Sequence, residues 1–502
     1  MRIKISTLLF LLIITAVPVI AEEPKQLLVN SEDWRDVYSV MLYGSLKDVP
    51  AAFIVSDRHG TLILNSIDKR NHIWLISSSR IPYVVGYANI IRSMGYSVEE
   101  FKYDNANLEL AKLTDTTSFI IVDDSYGYNA ISVAPYAVVT KSYVLFVDKK
   151  NVREIERFLD ERGVTNMIIY GHVDREVKER FAKYNPEIIN KDGDRFANNI
   201  EIVKRYQKII GQKQTILTNG EFIEKEIMSG LEPVIFIGVN NVPDVVREYI
   251  RNSDIEVGVL IGNELVGTAT FIRRQLGISV FVKFAQGARA PRGAISQVEA
   301  LDMFYLPTYV LNLEIESIKY NRATNKLEVT LRNTEEQAAY FSGTYSLTAS
   351  DGSKQTVGDV EPMFIDGGEL RTIVYDVEPM PEGKITADVY IIYGESKGSL
   401  ERVIDATLEV EIIKVIDNCE MDFTGVTYNK RKSMFYVQAE NVGPVDCYVD
   451  VELVDILIAG ERNTFGMEKV AYIKKGETKK LRIKAELEEE DIEDNDLVKV
   501  RA

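Results

Sequence analysis

The amino-acid sequence predicts a multidomain chain: three tandem α/β units, each a three-layer parallel sheet, followed by two all-β, Ig-like sandwiches. Three observations lead there. Apolar strand runs recur at a near-constant interval: Trp74-Leu75-Ile76-Ser77 and Met167-Ile168-Ile169-Tyr170 are offset by 93 residues, as are Phe53 and Phe146, and Gly262 follows Gly171 by 91. Between residues 28 and 308 these runs alternate with amphipathic, helix-like segments. After Pro307 the helical signal fades and period-2 strands separated by turns replace it.

The chain opens as a secretory leader. Arg2 and Lys4 precede an apolar run from Leu8 to Ile20, small residues follow to Ala21, and Glu22-Glu23-Pro24 comes next. Residues 1–21 are therefore expected to be removed, a retained anchor being the alternative. No later stretch approaches the roughly 18–20 apolar residues of a spanning helix, so no transmembrane anchor is expected in the mature chain.

Unit 1 (22–115) carries the Phe53 and Trp74 runs, and unit 3 (213–308) the runs Val234-Ile235-Phe236-Ile237-Gly238 and Val259-Leu260-Ile261-Gly262. Unit 2 (116–212) is the most legible. Phe119-Ile120-Ile121-Val122 reads as a buried strand, Asp123 to Asn129 as its exit loop, and Ala130 to Val139 as a helix packed closely on a sheet. Tyr143 to Val147 is the next strand. Asn151 is placed to cap a helix over Val152–Arg162, which Gly163 ends; Met167–Gly171 and a short helix over Arg175–Tyr184 follow. Strands that are apolar throughout, alternating with helices, imply a parallel sheet covered on both faces. Beyond Pro307, Lys326–Leu331, Lys384–Tyr390 and Phe435–Ala439 alternate polar and apolar residues, with turns at Asp351-Gly352, Asp366-Gly367-Gly368 and Lys475-Gly476-Glu477. Two sandwiches, 309–412 and 413–502, divide near Ile412–Asp417.

Hydrophobic content of 46% and 26 tyrosines indicate packed domains. A net charge of −17 counts against nucleic acid and anionic membranes, and suits a surface protein that gathers divalent cations. In an exported chain the two cysteines, Cys419 and Cys447, most simply pair, free thiols being the alternative. Three scattered histidines offer no zinc spacing, and no metal site is assigned. Glu486–Asp496, with Asp491, Asp494, Asn495 and Asp496, supplies the oxygen ligands calcium takes, but without EF-hand spacing; the expectation is a solvated loop, and no cofactor is assigned.

The segment Asp123-Asp124-Ser125-Tyr126-Gly127-Tyr128-Asn129-Ala130-Ile131-Ser132-Val133-Ala134-Pro135, followed by Ile168-Ile169-Tyr170-Gly171 and Gly193-Asp194-Arg195-Phe196-Ala197, resembles the type 2 cell wall-binding repeat of microbial surface proteins. Two departures stand out: the family's Gly-Gly is Gly171-His172 here, and its Tyr-x-Thr-Ala is Phe196-Ala197-Asn198-Asn199. The resemblance implies three units associated as a pseudo-threefold trio that binds an anionic envelope polymer. On that reading Asp123, Asp124, Tyr126, Asn129, Asp194 and Arg195 are the ligand-binding residues. Arg195 offers planar donors suited to phosphate or carboxylate; its structural alternative is a salt bridge to Asp194 or to the Asp123-Asp124 loop. Arg289-Ala290-Pro291-Arg292 is a second, weaker basic spot.

No catalytic set is expected. Asp123 and Asp124 are adjacent in a strand-exit loop and lack a partner carboxylate, and neither a phosphate loop nor a nucleophile elbow is present. The expected function is that of a secreted, non-enzymatic envelope protein whose partners are a surface polymer or surface-layer subunits, not nucleic acid. The alternatives are a surface-layer subunit making lattice contacts without polymer, and a secreted glycan-active enzyme.

Overall fold

The computed structural model describes residues 23–262, 265–283, 287–289, 298–300, 302–414, 418–459, 461–467, 469–495 and 497–502. The expected leader, the Ala290-Pro291-Arg292 spot and Asp496 lie outside them.

Three separate sheets of four parallel strands make up the first part of the chain. The first runs β1 (Gln26–Asn30), α1 (Trp34–Lys47), β2 (Ala51–Phe53), α2 (His59–Leu64), β3 (His72–Ser78), α3 (Tyr87–Ser93) and β4 (Ser97–Tyr103), and α4 (Ala106–Lys112) carries the chain onward. The second repeats this as β5 (Ser118–Val122), α5 (Tyr128–Val139), β6 (Tyr143–Phe146), α6 (Val152–Arg162), β7 (Asn166–Tyr170), α7 (Arg175–Phe181) and β8 (Glu187–Ile189), followed by α8 (Arg195–Ile210). The third holds β9 (Gln214–Thr218), a short β10 (Phe222–Ile223), β11 (Val234–Phe236), α9 (Asp244–Asn252), β12 (Val257–Ile261), α10 (Val266–Gln275) and β13 (Ser279–Lys283). In every sheet the spatial order is second, first, third, fourth strand: β2-β1-β3-β4, β6-β5-β7-β8 and β11-β9-β12-β13.

That order reverses the chain's direction once, and right-handed crossovers then put the first helix on one face of the sheet and the next two on the other. Burial in β1 records the two faces: Leu27 and Val29 join the main core with α1, while Leu28 packs with Leu64 of α2 and Tyr87 and Ile91 of α3. Helices α4 and α8 lie on the α1 and α5 side, and the main core runs through all three units there. The third unit lacks a helix in the α1 position. Asn219-Gly220 and Ser229-Gly230 bracket a segment too short for one, and the chain instead forms β10 and a single 3-10 turn, Ile227–Ser229. That turn touches both neighbours: Ser45 Oγ donates to Met228 O at 2.7 Å, and Gly230 lies against Val138.

The remainder is two β-rich bodies with separate cores. The first has one sheet of strands 370–376, 326–333, 313–321 and 411–413, and another of 354–358, 339–349, 385–394 and 400–409, with 363–365 beside 339–349. Leu327, Val329 and Leu331 alternate inward to meet Phe341, Tyr345 and Leu347. The second body is centred on Phe435, Val437, Leu453, Leu481 and Ile483, and a Cys419–Cys447 disulfide with Cα atoms 5.6 Å apart ties the segment just before its first strand, 421–429, to residues 447–449.

Two local expectations are corrected. The Asn151 side chain does not cap α6; it accepts from Asp148 N and donates to Phe146 O, closing the loop before the helix. The acidic run is not a solvated loop, because Glu489–Asp494 forms a short helix, α11, in which Asp491 is buried. Its carboxylate accepts from Ala459 N and Glu488 N and pairs with Arg175 of α7 at 2.9 Å, so burial is compensated. With Lys397–Asp455 at 2.6 Å and Arg371–Glu452 joining the two β bodies, ionic contacts link the second unit and both β bodies into a closed triangle with the Arg195 pairs described next.

Candidate functional site

The expected ligand-binding residues gather at the carboxyl ends of β5, β7 and β8. A doubly wound parallel sheet has its crevice there, because the reversal of strand order sends neighbouring loops apart. In this chain that end is covered. Gly127 N–H donates to Pro307 O and Tyr309 N–H to Tyr128 Oη, while the Tyr126 ring lies 5.7 Å from Tyr309. Gly127 is pressed against Leu306 so closely that any Cβ would clash.

Each acidic residue of the loop has a local use. Asp123 accepts from Ser125 N at 2.8 Å, and Asp124 pairs with Arg35 of α1, which also binds Asp33. The Asn129 side chain sits over Gly171, where φ is +74° and a Cβ would come within 2.5 Å of Asn129 Nδ2. Gly171 therefore meets two demands that only glycine satisfies. Asp194 caps α8, accepting from Phe196 N and Ala197 N, and also accepts from Ser399 Oγ of the first β body at 2.9 Å.

Arg195 is the centre of the arrangement. Its side chain is 4% exposed, with Nη1 2.8 Å from Glu395 and Nη2 2.5 Å from Glu401, both in the first β body. The Tyr128 and Phe196 rings lie 4.1 and 4.9 Å from the guanidinium carbon, both within cation–π range. Burial works against the charge, but Glu395 and Glu401 outweigh it and hold the guanidinium above its ordinary value. Burial pushes Glu395 up to about 7; Arg195 opposes this shift and Glu401 adds to it. The arginine is thus buried as the structural alternative required, although neither Asp194 nor Asp123 is its partner. Asp124 and Arg195 serve different neighbours, unit 1 and the first β body, and the six residues do not converge on a shared open groove.

The partners that sequence reasoning missed are Glu395, Ser399 and Glu401. They lie about 200 residues downstream, as the separations of 200 for Arg195–Glu395 and 206 for Arg195–Glu401 record, in a hairpin with no motif of its own: Glu395 and Ser399 in the connection, Glu401 in the strand 400–409. The start of that strand grips the third unit: Asn241 N–H donates to Glu401 O and Asn241 Nδ2 to Leu400 O. Among the described residues no group of three or more His, Cys, Asp or Glu is placed to hold a metal ion, and no helix is long and apolar enough to cross a membrane.

No protein-family model matches the chain, and no curated protein matches it. Solved structures with local likeness include the putative ApaA protein of Bordetella pertussis (14% identity, covering 21% of this chain and 98% of that one, TM-score 0.16). Others are a chaperone–tip adhesin complex of CFA/I fimbriae (13%, 38% and 97%, TM-score 0.15) and red sea bream transglutaminase (12%, 36% and 28%, TM-score 0.15). At these scores the likeness carries no argument about fold or function.

Proposed function

We propose that the chain is an exported, non-enzymatic structural protein of the cell envelope. Its three α/β units form a pseudo-threefold platform of the cell wall-binding repeat type, and its two Ig-like sandwiches are clamped to that platform as the outward, subunit-contacting part. Mutual contact among α1, α5 and the Ile227–Ser229 turn supports the trio. The leader-like start supports export. The observation that carries the reading is Arg195, which is enclosed by Glu395 and Glu401 and so is not available to an anionic polymer. The residue with the chemistry best suited to such a ligand instead holds the first β body on the second unit. This favours a surface-layer subunit that makes protein contacts over one that docks by gripping polymer through this site.

Native envelopes provide the test. A chelator should release the protein, since a chain of charge −17 needs cations to pack beside its own copies, while added envelope polymer should not. Release by polymer and retention under chelator would overturn the proposal in favour of polymer docking.

A further inference from the structure

One sheet of the second β body ends on an open strand. Residues 421–429 pair with 434–441 on one side, and among the described residues no strand pairs with the other side. The bulge between Phe423 and Gly425 leaves this edge usable, because the residues before and after it stay in register with 434–441. Edge strands are commonly protected by charge, above all by lysine, or by proline. The other edge strands of five or more residues in the two β bodies carry Lys354, Arg371, Arg402, Arg462 or the basic run from Lys479 to Lys484. Strand 421–429 has no lysine, arginine or proline, and its single charge is Asp422. Its core is also incomplete. Phe423, Val426 and Tyr428 stand opposite the buried Ala439, Val437 and Phe435, yet all three remain partly exposed, as does Met421. An added strand with apolar inward residues would cover that row and pair with the open edge.

The same strand of a second copy has that pattern. The bulge leaves Met421 and Phe423 inward before it and Val426 and Tyr428 inward after it. Antiparallel pairing with Thr424 opposite the partner's Gly425 therefore sets Phe423 beside the partner's Val426 and Met421 beside the partner's Tyr428, so that every inward residue meets an inward one. Charge selects the same direction. Glu420 and Asp422 mark one end of the strand, with Glu440 across from Asp422, and Lys430, Arg431 and Lys432 form the turn at the other end. Among the described residues the one ion pair made by these six is Lys430 with Glu489, 3.6 Å apart and exposed. Antiparallel pairing lays each basic turn beside the partner's Glu420 and the partner's Asp422, whereas parallel pairing lays like charges together, which is unfavourable. We propose that strand 421–429 is a self-association edge through which two copies of the chain join about a twofold axis, merging two three-stranded sheets into one of six strands. This rests on the reading of the chain as a subunit that makes protein contacts, and it names the surface and the occupant, a second copy.

Sedimentation of the full-length mature chain provides the test. The unaltered protein should be dimeric at micromolar concentration. Gly425→Lys should raise the dissociation constant about tenfold or more, because it sets two like charges near the axis. The fold of each copy should survive this change, since a Cβ at Gly425 meets nothing within 4 Å, and an unchanged far-ultraviolet circular dichroism spectrum checks it. Register is tested by cross-linking. An equimolar mixture of Thr424→Cys and Gly425→Cys chains should oxidise to a covalent dimer, while Thr424→Cys mixed with Thr407→Cys, on another edge strand, should not. A monomer at micromolar concentration, a dimer indifferent to Gly425→Lys, or absence of the mixed disulfide would each overturn the proposal. The subunit reading fails separately: release from envelopes by polymer with the dimer intact defeats that reading alone, and a monomer that chelator releases defeats the self-association alone.

Discussion

Asn107 and Asn199 make the same three hydrogen bonds at two successive joints of the chain. Asn107 Nδ2 donates to Val144 O at 2.9 Å and to Ser39 Oγ at 3.0 Å, and its Oδ1 accepts from Phe146 N at 3.1 Å. Asn199 Nδ2 donates to Val234 O and Ser132 Oγ, each at 2.9 Å, and its Oδ1 accepts from Phe236 N at 2.8 Å. In both cases an amide on the helix leaving one unit completes the edge strand of the next, and a serine of the preceding unit's first helix takes the remaining proton. Where the third unit meets the first, Phe304 instead packs on Phe53, the counterpart of Phe146, with centroids 6.0 Å apart.

Replacing either asparagine by alanine leaves a buried carbonyl and a buried N–H without partners. Each orphaned group costs about 1–3 kcal/mol. Asn107→Ala and Asn199→Ala should therefore destabilise by similar amounts in denaturant unfolding of the platform. Losses below about 0.5 kcal/mol for both would mean that the joints are held by apolar contact alone.

Arg195→Ala should be more severe. It strands Glu395 and Glu401 in a junction that excludes water, and breaking a buried pair this way costs about 3–5 kcal/mol. Glu401→Gln retains the Glu395 contact and should cost less. Equilibrium unfolding of the two variants ranks them; equal losses would argue against the arginine as the shared anchor.

Glu395 also sets a pH dependence. Its folded-state value is raised from the ordinary 4.5 to about 7, so between those values the folded protein keeps a proton that the unfolded chain has released. The stabilisation from this group is complete below about pH 4.5 and disappears as pH rises through about 7. Glu369, raised by burial to about 7, and Asp36, raised by burial to about 6, act in the same direction. Glu395→Gln removes one of these contributions, so its melting temperature should fall less steeply than that of the unaltered protein between about pH 5 and pH 8. Parallel curves would show that the carboxyl is ionised throughout.

The Cys419–Cys447 bridge closes a separation of 28 residues in the second β body. In the chain-entropy account a loop of that length contributes about 3 kcal/mol. Reduction, or a Cys419→Ser/Cys447→Ser pair, should lower the unfolding midpoint of that body and leave the platform's transition in place. Two free thiols by mass spectrometry of exported protein would remove the effect altogether.

Much of what depends on neighbours along the chain was legible in the sequence, the role of Asn151 and the Glu489–Asp494 helix excepted. The interval between Trp74 and Met167 reports two copies of one strand because burial on both faces demands unbroken apolar runs. The bounds of α6 follow from its 3.6-residue apolar face and from Gly163, whose φ of +77° stops it. The alternation through Lys326–Leu331 records one face turned to a core. Residue roles were decided elsewhere. Nothing near Arg195 announces Glu395 or Glu401, and nothing near Asp491 announces Arg175, because a buried charge is satisfied by whichever carboxylate or guanidinium the packed domains bring within about 3 Å. The same Asp-Arg pattern that reads as a ligand site in one unit alone becomes a clamp when a β body lies over it. Only the tertiary arrangement determines which of the two it is, since a guanidinium closed in by two carboxylates and two rings has no face left for a polymer.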